Sequence, residues 1–295
     1  MKSISGKNWE QIQSNKRLIE KIKIDHNLNQ IQSIIVNSRE FSNEELFLIR
    51  NHISLINPFL NSKDFLIAFD LLKKNIINEH NILIIGDYDV DGCISTSLMV
   101  KFLAFNKGNV NYYIPDRFKD GYGANKNLIV QLINKYEPKL IIFLDCGSSA
   151  HSIIQYIKSK SINSIIIDHH NTTIPHPTAD VFINPKKNSS YKKYDYLCTT
   201  FLTYMFIDLY IKLDKSKYLL KDDQIYVLLA TVADVMPIRG INKVLAINVL
   251  KKFNINSNII FKNIFKILDI NKKLEIDDLS YKIAPIINSA GRLEN

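Results

Sequence analysis

NILIIGDYDVDG, residues 81–92, runs from a string of apolar residues directly into three aspartates. Its first half, NILIIG, has the length and the branched apolar composition of a buried strand. Four similar runs follow in the chain: NVNYYIP (109–115), KLIIFLD (139–145), SIIIDHH (164–170) and the shorter DVFINP (180–185). The sequence therefore predicts five strands, of which this stretch is the first.

Helical patterns lie between the first four strands. They read ISTSLMVKFLAF (94–105), NKNLIVQLINKY (125–136) and SAHSIIQYIKSK (149–160). Because strands that alternate with helices form βαβ units, we predict an α/β fold with a doubly wound, mainly parallel, five-stranded sheet. We expect a helical segment over residues 1–60, in which SNEELFLIRNHI begins with a capping box. The α/β domain spans 61–255, and a helical connector begins at 256 and continues to 295.

The chain has 295 residues and a formal net charge of +9. This charge favours a polyanionic partner such as nucleic acid, although lysines scattered over a solvated surface would give the same balance. Three cysteines without close pairing, Cys93, Cys146 and Cys198, argue against a disulfide framework and for a reducing compartment. No apolar run reaches the length of a membrane span. We therefore expect a cytoplasmic protein.

Acidic and imidazole side chains follow three of the predicted strands, and one more acid interrupts the apolar helical stretch LLATVADVMPI. The residues are Asp87, Asp89, Asp91, Asp145, Asp168, His169, His170 and Asp234. The carboxyl ends of strands in an open α/β sheet are where ligands bind, so these groups should converge. Converging carboxylates repel one another unless a cation compensates them, and oxygen-rich sites suit Mn²⁺ or Mg²⁺. So many acids suit two ions, roughly 3.5–4 Å apart, which is the arrangement of phosphoryl-transfer enzymes.

Each cluster alone also has an ordinary interpretation. DYDVDG could be a solvated turn, or a calcium loop without its later glutamate; DHH could be a helix cap beside a surface histidine; Asp234 could be a satisfied core acid. The occurrence of the clusters at successive strand ends favours the metal site. The remaining histidines, as well as Cys93 and Cys146, are interpreted as surface or packing residues; these histidines are His26, His52, His80, His151 and His176.

The ordered motifs GDYDVDG, LDCGSS, IDHHN and ATVADVMPI resemble those of the DHH phosphoesterase superfamily and, within it, the RecJ family of single-strand-specific 5′→3′ exonucleases. Three further stretches, NPFLNSKDFLIAFDLLKKNI, PDRFKDGYGAN and INSAGRLEN, are similar to segments of that family. The resemblance covers the chain from about residue 50 onward. It implies that 61–255 is a DHH domain and that 256–295 comprises a connector and the start of a second, DHHA1-like domain. Members of the family are expected to continue beyond it into an OB-type strand-binding domain.

The resemblance also implies two bound divalent cations, Mn²⁺ or Mg²⁺. The implied metal ligands are Asp89, Asp91, Asp145, His169 and Asp234, with Asp87 as a further ligand or a neighbour of the ligands. Asp145 would bridge the ions. Asp91, His169 and Asp234 would complete the shell of one ion, and Asp89 would bind the other. With His170, the five ligands form the expected catalytic set.

Other residues are expected to bind the substrate or to orient the site. The implied substrate contacts are Arg117, Tyr122, His170, Asn288 and Arg292. Asp168 would orient the two histidines. The alternative for Arg117 is a surface ion pair with Asp116 or Asp120, and the alternative for the two C-terminal residues is a helix-terminal turn.

The function implied by the resemblance is removal of 5′-mononucleotides from single-stranded DNA in recombination and repair, with a single-strand-binding protein and a helicase as further partners. One alternative is a DHH phosphodiesterase for short oligoribonucleotides or cyclic dinucleotides. Those relatives carry a histidine shortly before the first aspartate pair, whereas this chain reads ILIIGDYD. The other alternative is a non-catalytic DNA-binding fragment.

Overall fold

Each of the five apolar runs forms a strand. The strands are β1 (Asn81–Ile85), β2 (Asn109–Tyr113), β3 (Leu140–Leu144), β4 (Asn163–Ile167) and β5 (Val181–Ile183). Isoleucine supplies many of their positions, and its branched side chain favours extended backbone. The computed structural model describes residues 5–6, 8, 15–50, 54–117, 119–120, 125–187 and 189–291, with side chains at all of these except 49, 50 and 189.

The strands form one sheet in the order β2-β1-β3-β4-β5, and every neighbouring pair is parallel. The chain starts at β1, moves outward to β2, and then returns past β1 to build the other half. The doubly wound fold is therefore confirmed, and the described sheet is wholly parallel. The winding changes direction between β1 and β3, and in open α/β sheets ligands bind at the carboxyl ends of the strands at such a point.

Helices precede, connect and follow the strands. They are α1 (Lys16–Asp25), α2 (Gln30–Ser38), α3 (Asn43–Arg50), α4 (Lys63–Ile77), α5 (Val90–Phe105), α6 (Lys126–Tyr136), α7 (His151–Ser159), α8 (Thr199–Asp214), α9 (Gln224–Ala233), α10 (Gly240–Lys252), α11 (Ile259–Ile267), α12 (Ile276–Asp278) and α13 (Ala284–Ala290). A π-helical turn, Leu279–Ile283, joins α12 to α13, and short 3₁₀ segments lie at Ser189–Tyr194, Leu220–Asp223 and Ile255–Ser257. Among the described helices, none has the length and apolar character that crossing a membrane requires.

The two faces of the sheet are covered by different helices. Ile82 and Ile84 of β1 face a large apolar cluster that includes residues of α4, α5, α8 and α9. Leu83 and Ile85 face a second cluster that includes residues of α6 and α7. All four side chains are fully buried. Strands buried on both faces read as continuous apolar runs, which explains why the sequence signal was so clear.

The described residues divide into two compact units between Ile53 and Ser54. The first unit contains α1 to α3, and α3 begins with the expected capping box. The Ser42 backbone N–H donates to Glu45 Oε2 (2.9 Å), and the Glu45 N–H donates to Ser42 Oγ (3.1 Å). The second unit contains the sheet and all the later helices. The proposed boundaries at residues 60 and 255 stay predictions.

Asn57 links the start of the second unit to α8. Its buried side chain donates to the carbonyl oxygen of Met205 (2.7 Å) and to Asp208 (2.9 Å), and its Oδ1 accepts from the Phe59 N–H (2.9 Å). We expect Asn57→Ala to lower the free energy of unfolding by about 2 kcal/mol, because it leaves a buried backbone donor without its acceptor. Urea unfolding would measure the loss. Asn61→Ala, at an exposed position, is the matched control, and equal effects of the two changes would contradict this role.

Candidate metal centre

The predicted carboxylates and imidazoles meet at the carboxyl edge of the sheet. Asp87, Asp89 and Asp91 follow β1, Asp145 follows β3, and the Asp168 to His170 segment follows β4. The cluster therefore lies at the edge of the sheet where the winding changes direction. Asp145 itself adopts a left-handed backbone conformation, with φ of 62°. Such a conformation is uncommon for a residue other than glycine and turns the chain sharply as it leaves the strand.

One group of possible ligands joins Asp91, His169 and Asp234. The Nε2 atom of His169 lies 3.3 Å from Asp234 Oδ2 and 3.8 Å from Asp91 Oδ2. The same nitrogen is 3.4 Å from Asp145 Oδ1. Asp234 is the C-cap of α9, so this otherwise apolar helix carries the acid into the site from outside the sheet.

A second group joins Asp87, Asp89 and Asp145. One oxygen from each of these three carboxylates lies within 4.8 Å of the others, which is close enough for one cation to bind all three. Asp145 is also grouped with His169 and His170. Asp145 therefore belongs to the second group and also lies 3.4 Å from the His169 imidazole of the first group.

The N-terminus of α8 orients two of the carboxylates. The backbone N–H groups of Thr199 and Thr200 donate to the two oxygens of Asp91, each at 2.8 Å. The hydroxyl of Thr199 donates to Asp145 Oδ1 at 2.9 Å. A helix N-terminus favours negative charge, so α8 stabilises the buried carboxylates as well as fixing their directions. The sequence analysis did not identify these threonines, whose available signal was the Thr-Thr pair that begins α8.

Asp168 organises the histidine segment. Its Oδ1 accepts from the backbone N–H groups of His169 (2.7 Å) and His170 (3.1 Å), and it contacts His170 Nδ1 at 2.8 Å. Its Oδ2 accepts from the Ser148 N–H at 3.0 Å. Burial opposes the ionisation of Asp168, but the hydrogen bonds from His170 and Ser148 hold its pKa below the usual value. Asp168 is therefore ionised, and His170 Nδ1 is the donor to it.

Asn184 supports the same segment from the end of β5 and was also missed in the sequence. Its amide nitrogen donates to Ser148 Oγ (3.0 Å) and to the carbonyl oxygen of His170 (2.9 Å). The available signal was its position directly after a strand, where the carboxyl-edge rule applies to amides as well as to acids. The histidine segment is thus held by residues that follow β3 and β5, on both sides of β4.

The loop that follows β1, from Asp87 to Asp91 and here called the aspartate loop, is held by local caps and by α13. Asp89 is the N-cap of α5, and its side chain accepts from the Gly92 N–H at 3.0 Å. Asn288 of α13 accepts the Val90 N–H at 3.0 Å. A side chain at Gly291 would place its Cβ 2.7 Å from the carbonyl oxygen of Tyr88. The end of the described chain therefore packs directly on the aspartate loop.

Burial and mutual repulsion oppose the ionisation of several acids. Burial raises the pKa of Asp87 to about 6 and that of Asp234 to about 7, and the charge of Asp89 adds to both shifts. Burial also raises the pKa of Asp145 well above its usual value, with further contributions from the charges of neighbouring aspartates. A bound cation would reverse these shifts because it stabilises the ionised carboxylates.

The two histidines differ in protonation. Burial lowers the pKa of His169, although the charge of Asp91 opposes this shift. The hydrogen bond to Asp168 raises the pKa of His170. Neutral imidazole is the form that binds a metal, so His169 is suited to coordination and His170 to carrying a proton.

Unsatisfied buried atoms test whether the cluster suits a cation. Within the described ranges, His169 Nε2 and Asp234 Oδ2 are buried and have no hydrogen-bond partner, although they lie only 3.3 Å apart. Buried polar atoms without partners are rare in proteins and call for a ligand or an ion. The donor set of carboxylate oxygens with imidazole nitrogen suits Mn²⁺ or Mg²⁺. The residues present therefore fit divalent cations.

The expected substrate contacts are only partly described. The Arg117 guanidinium lies over the Tyr88 ring, 5.5 Å from its centroid, beside the aspartate loop. Asn288 is the residue that caps Val90. Tyr122 and Arg292 lie outside the described residues.

The histidines and cysteines interpreted as packing residues do not enter the three described ligand groups, and His52 lies outside the described residues. Cys146 is buried, and its thiol points at the Ile85 carbonyl oxygen (3.6 Å). The Cys93 thiol points at the Tyr88 carbonyl oxygen (3.5 Å), and burial raises its pKa to about 11. Both thiols are therefore protonated at neutral pH.

Comparison with known proteins identifies relatives of the whole domain. Residues 81–233 match the family model described as "DHH family, N-terminal domain". The single-stranded-DNA-specific exonuclease RecJ of Bacillus subtilis strain 168 is 30% identical over 254 residues, which cover 84% of this chain and 31% of that protein. RecJ of Escherichia coli K12 is 29% identical over 247 residues, covering 77% of this chain and 42% of that protein. The chain thus spans 31% and 42% of the length of these two curated relatives, and the resemblance seen in the motifs is confirmed.

Solved structures show the same fold. A crystal structure of exonuclease RecJ bound to manganese has a TM-score of 0.68 at 21% identity, covering 82% of this chain and 59% of that one. RecJ from Thermus thermophilus in complex with Mn²⁺ has a TM-score of 0.76 at 19% identity, covering 95% of this chain and 39% of that one. At these identities the likeness concerns the fold alone.

Gly92 provides a direct test of the loop geometry. A Cβ at this position would lie 2.5–2.6 Å from backbone atoms of Asp87, so Gly92→Ala must push α5 away from the aspartate loop. We expect Mn²⁺ affinity measured by calorimetry to fall at least about tenfold, or about 1.4 kcal/mol. Gly108→Ala is the control, because its Cβ would come no closer than 3.2 Å to another atom. Unchanged affinity in Gly92→Ala would refute the close approach.

The raised pKa of Asp234 predicts a pH-dependent stability of the metal-free protein. The native state loses stability as the pH rises from the usual carboxyl value of 3.8 to about 7, because Asp234 ionises less readily when folded. Asp234→Asn removes this loss. In chelator, the variant should match the wild type near pH 4 and exceed it by about 1–3 kcal/mol at pH 8 in urea unfolding.

Asp70→Asn, at an exposed carboxylate on α4, is the control for removal of a negative charge. A stability difference between Asp234→Asn and the wild type that stays constant from pH 4 to pH 8 would contradict the burial of this charge.

Proposed function

The chain belongs to the DHH family, and on that premise we propose that it is a metal-dependent phosphodiesterase that acts as a single-strand-specific 5′→3′ exonuclease. It would release 5′-mononucleotides from single-stranded DNA in recombination and repair. The observation that carries the proposal is the convergence of Asp145 with both ligand groups at one edge of the sheet. The names of the relatives support the choice of substrate.

Two divalent cations, Mn²⁺ or Mg²⁺, fit the proposed site. Asp91, His169 and Asp234 would hold one ion, Asp89 and Asp87 the other, and Asp145 would bridge them; the two ligand groups support this division. When bound, such ions supply Lewis-acid chemistry, which acidifies a water and neutralises charge on a phosphodiester. Thr199 and Thr200 would keep the carboxylates aimed at the ions.

His170 is the proposed proton carrier and phosphate contact. Its Nδ1 donates to Asp168, which favours the protonated ring, and its side chain is 43% exposed. A protonated imidazole that reaches solvent can donate its remaining N–H to a phosphate oxygen. Asp168 would thus set both the orientation and the charge of the residue that meets the substrate.

Further substrate contacts are proposed from the resemblance. Arg117 and Tyr122 would meet the strand on one side of the site, and Asn288 and Arg292 would contact the phosphate near the scissile bond. The stack of Arg117 on Tyr88 supports its place beside the aspartate loop. A single-strand-binding protein and a helicase are proposed partners, and a cytoplasmic location stays a prediction.

Asp145 is the residue whose change tests the mechanism. Asp145→Asn keeps its size and its bond from Thr199 but removes the charge shared by the two ligand groups. We expect nuclease activity in Mn²⁺ to fall at least about 100-fold, as when a main electrostatic stabiliser is lost. Release of labelled mononucleotides from a 20-mer measures it. Asp195→Asn, at an exposed acid, is the control and should keep full activity.

The choice of substrate separates the exonuclease from its alternatives. The proposal predicts mononucleotide release from the single-stranded 20-mer, with much slower release from a duplex. Turnover of a dinucleotide but not of the 20-mer would favour a dinucleotide phosphodiesterase. Calorimetry without any heat of Mn²⁺ binding would instead favour a non-catalytic module and overturn the proposal.

A further inference from the structure

Lys186 lies three residues after the end of β5, in a turn that is hydrogen-bonded to the histidine segment. Its backbone N–H donates to Asn184 Oδ1 at 2.9 Å. Asn184 in turn donates to the carbonyl oxygen of His170 and to Ser148 Oγ. One asparagine side chain therefore ties the backbone of Lys186 to the histidine segment, so the position of this lysine is fixed relative to the site.

The two lysines of this turn differ in their partners. Lys187 donates to Asp64 (2.9 Å) and to the carbonyl oxygen of Phe182 (2.6 Å), so its charge is already used within the fold. Lys186 is half-buried, and no carboxylate oxygen of the described residues lies within 4.0 Å of its ammonium group. A lysine without a carboxylate partner can bind an incoming anion without first breaking an ion pair.

The charge of Lys186 reaches the metal centre. Burial lowers the pKa of His169 and raises that of Asp234, and in each case it is the largest influence. The positive charge of Lys186 lowers the pKa of both residues. The ammonium group is therefore close enough to the site for its charge to act on two of the proposed ligands. The hydrogen bonds from Lys186 to Asn184 and from Asn184 to His170 likewise place this turn beside the site.

A second cation lies on the opposite side. Arg117 follows β2, at one edge of the sheet, whereas Lys186 follows β5, at the other edge. The carboxylates follow β1, β3 and β4 and thus lie between the two cations. Four strand spacings of about 4.8 Å separate the edges, a span that several nucleotides of an extended strand would cross.

We propose that Lys186 is a substrate-positioning residue that binds a phosphate of the single strand on the β5 side of the metal centre. The inference rests on the proposed function and deepens it, because it gives the single-stranded DNA a path across the carboxyl edge of the sheet. The lysine acts on binding, and the proposed ligands remain responsible for hydrolysis.

Lys186→Gln tests the proposal through the salt dependence of binding. Binding of a fluorescent single-stranded 12-mer is followed by anisotropy in Ca²⁺, together with KM and kcat for its cleavage in Mn²⁺. We expect affinity to fall roughly three- to tenfold and the slope of log K against log salt to shrink by about 0.7, the value for one phosphate on a single strand. KM should rise while kcat stays within about threefold of the wild type.

Two variants complete the comparison. Lys186→Arg retains the charge and should restore the salt slope, whereas a structural role would not be rescued in this way. Lys192→Gln removes an exposed lysine from the following segment and should leave affinity and slope unchanged. Mn²⁺ affinity of Lys186→Gln, measured by calorimetry, should be no weaker than that of the wild type, which shows that the metal centre is intact.

The outcomes separate this inference from the proposed function. If the wild type binds and cleaves the strand while Lys186→Gln keeps the full salt slope, the role of Lys186 is wrong and the nuclease proposal stands. If the wild type neither binds nor cleaves the 12-mer, the proposed function fails and the inference fails with it.

Discussion

The carboxylates at one edge of the sheet repel one another, and the surrounding groups of the site compensate this repulsion. Asp145 is fully buried between the charges of neighbouring aspartates, and burial makes its ionised form unfavourable. An apolar core tolerates such a cluster only where helix N-termini, hydrogen-bond donors or cations compensate it. The fold supplies the first two, since α8 directs its N-terminus at Asp91 and the Thr199 hydroxyl reaches Asp145. The remaining imbalance is what makes the site suitable for divalent cations.

The same edge gives its acidic and imidazole residues different roles because their surroundings differ. Asp168 accepts four hydrogen bonds and stays ionised despite its burial, whereas Asp234 has an oxygen without a partner among the described residues and a raised pKa. His169 is buried and neutral, and His170 is exposed and held by a carboxylate. Titratable neighbours whose pKa values move in opposite directions are typical of catalytic sites. The proposed division between metal ligands and orienting groups thus follows from burial and hydrogen bonding rather than from residue type.

Much of the fold could be predicted from sequence because β1, β3, β4 and β5 are buried along almost their whole length and read as apolar runs. The edge strand β2 is partly exposed and reads NVNYY, so it lacks this uniform signal. The acids after β1, β3 and β4 could be assigned to one site because the carboxyl ends of parallel strands lie at the same edge of the sheet. Asp234 could be included because it is an acid in an otherwise apolar stretch, although it arrives at the end of a helix, where the rule for strand ends does not apply. The supporting contacts of Thr199, Asn184 and Asn288 could not be predicted, since they join residues far apart in sequence through single hydrogen bonds.

The bond between Val90 and Asn288 joins residues 198 positions apart. A ribosome that adds about 5–20 residues per second makes the acceptor roughly 10–40 seconds after the donor. For that interval the nascent aspartate loop depends on its nearby caps, such as the bond from Gly92 to Asp89, while the sheet assembles behind it. This contact at the carboxyl edge of the sheet is therefore completed late in biosynthesis, well after the strands of the sheet have been translated.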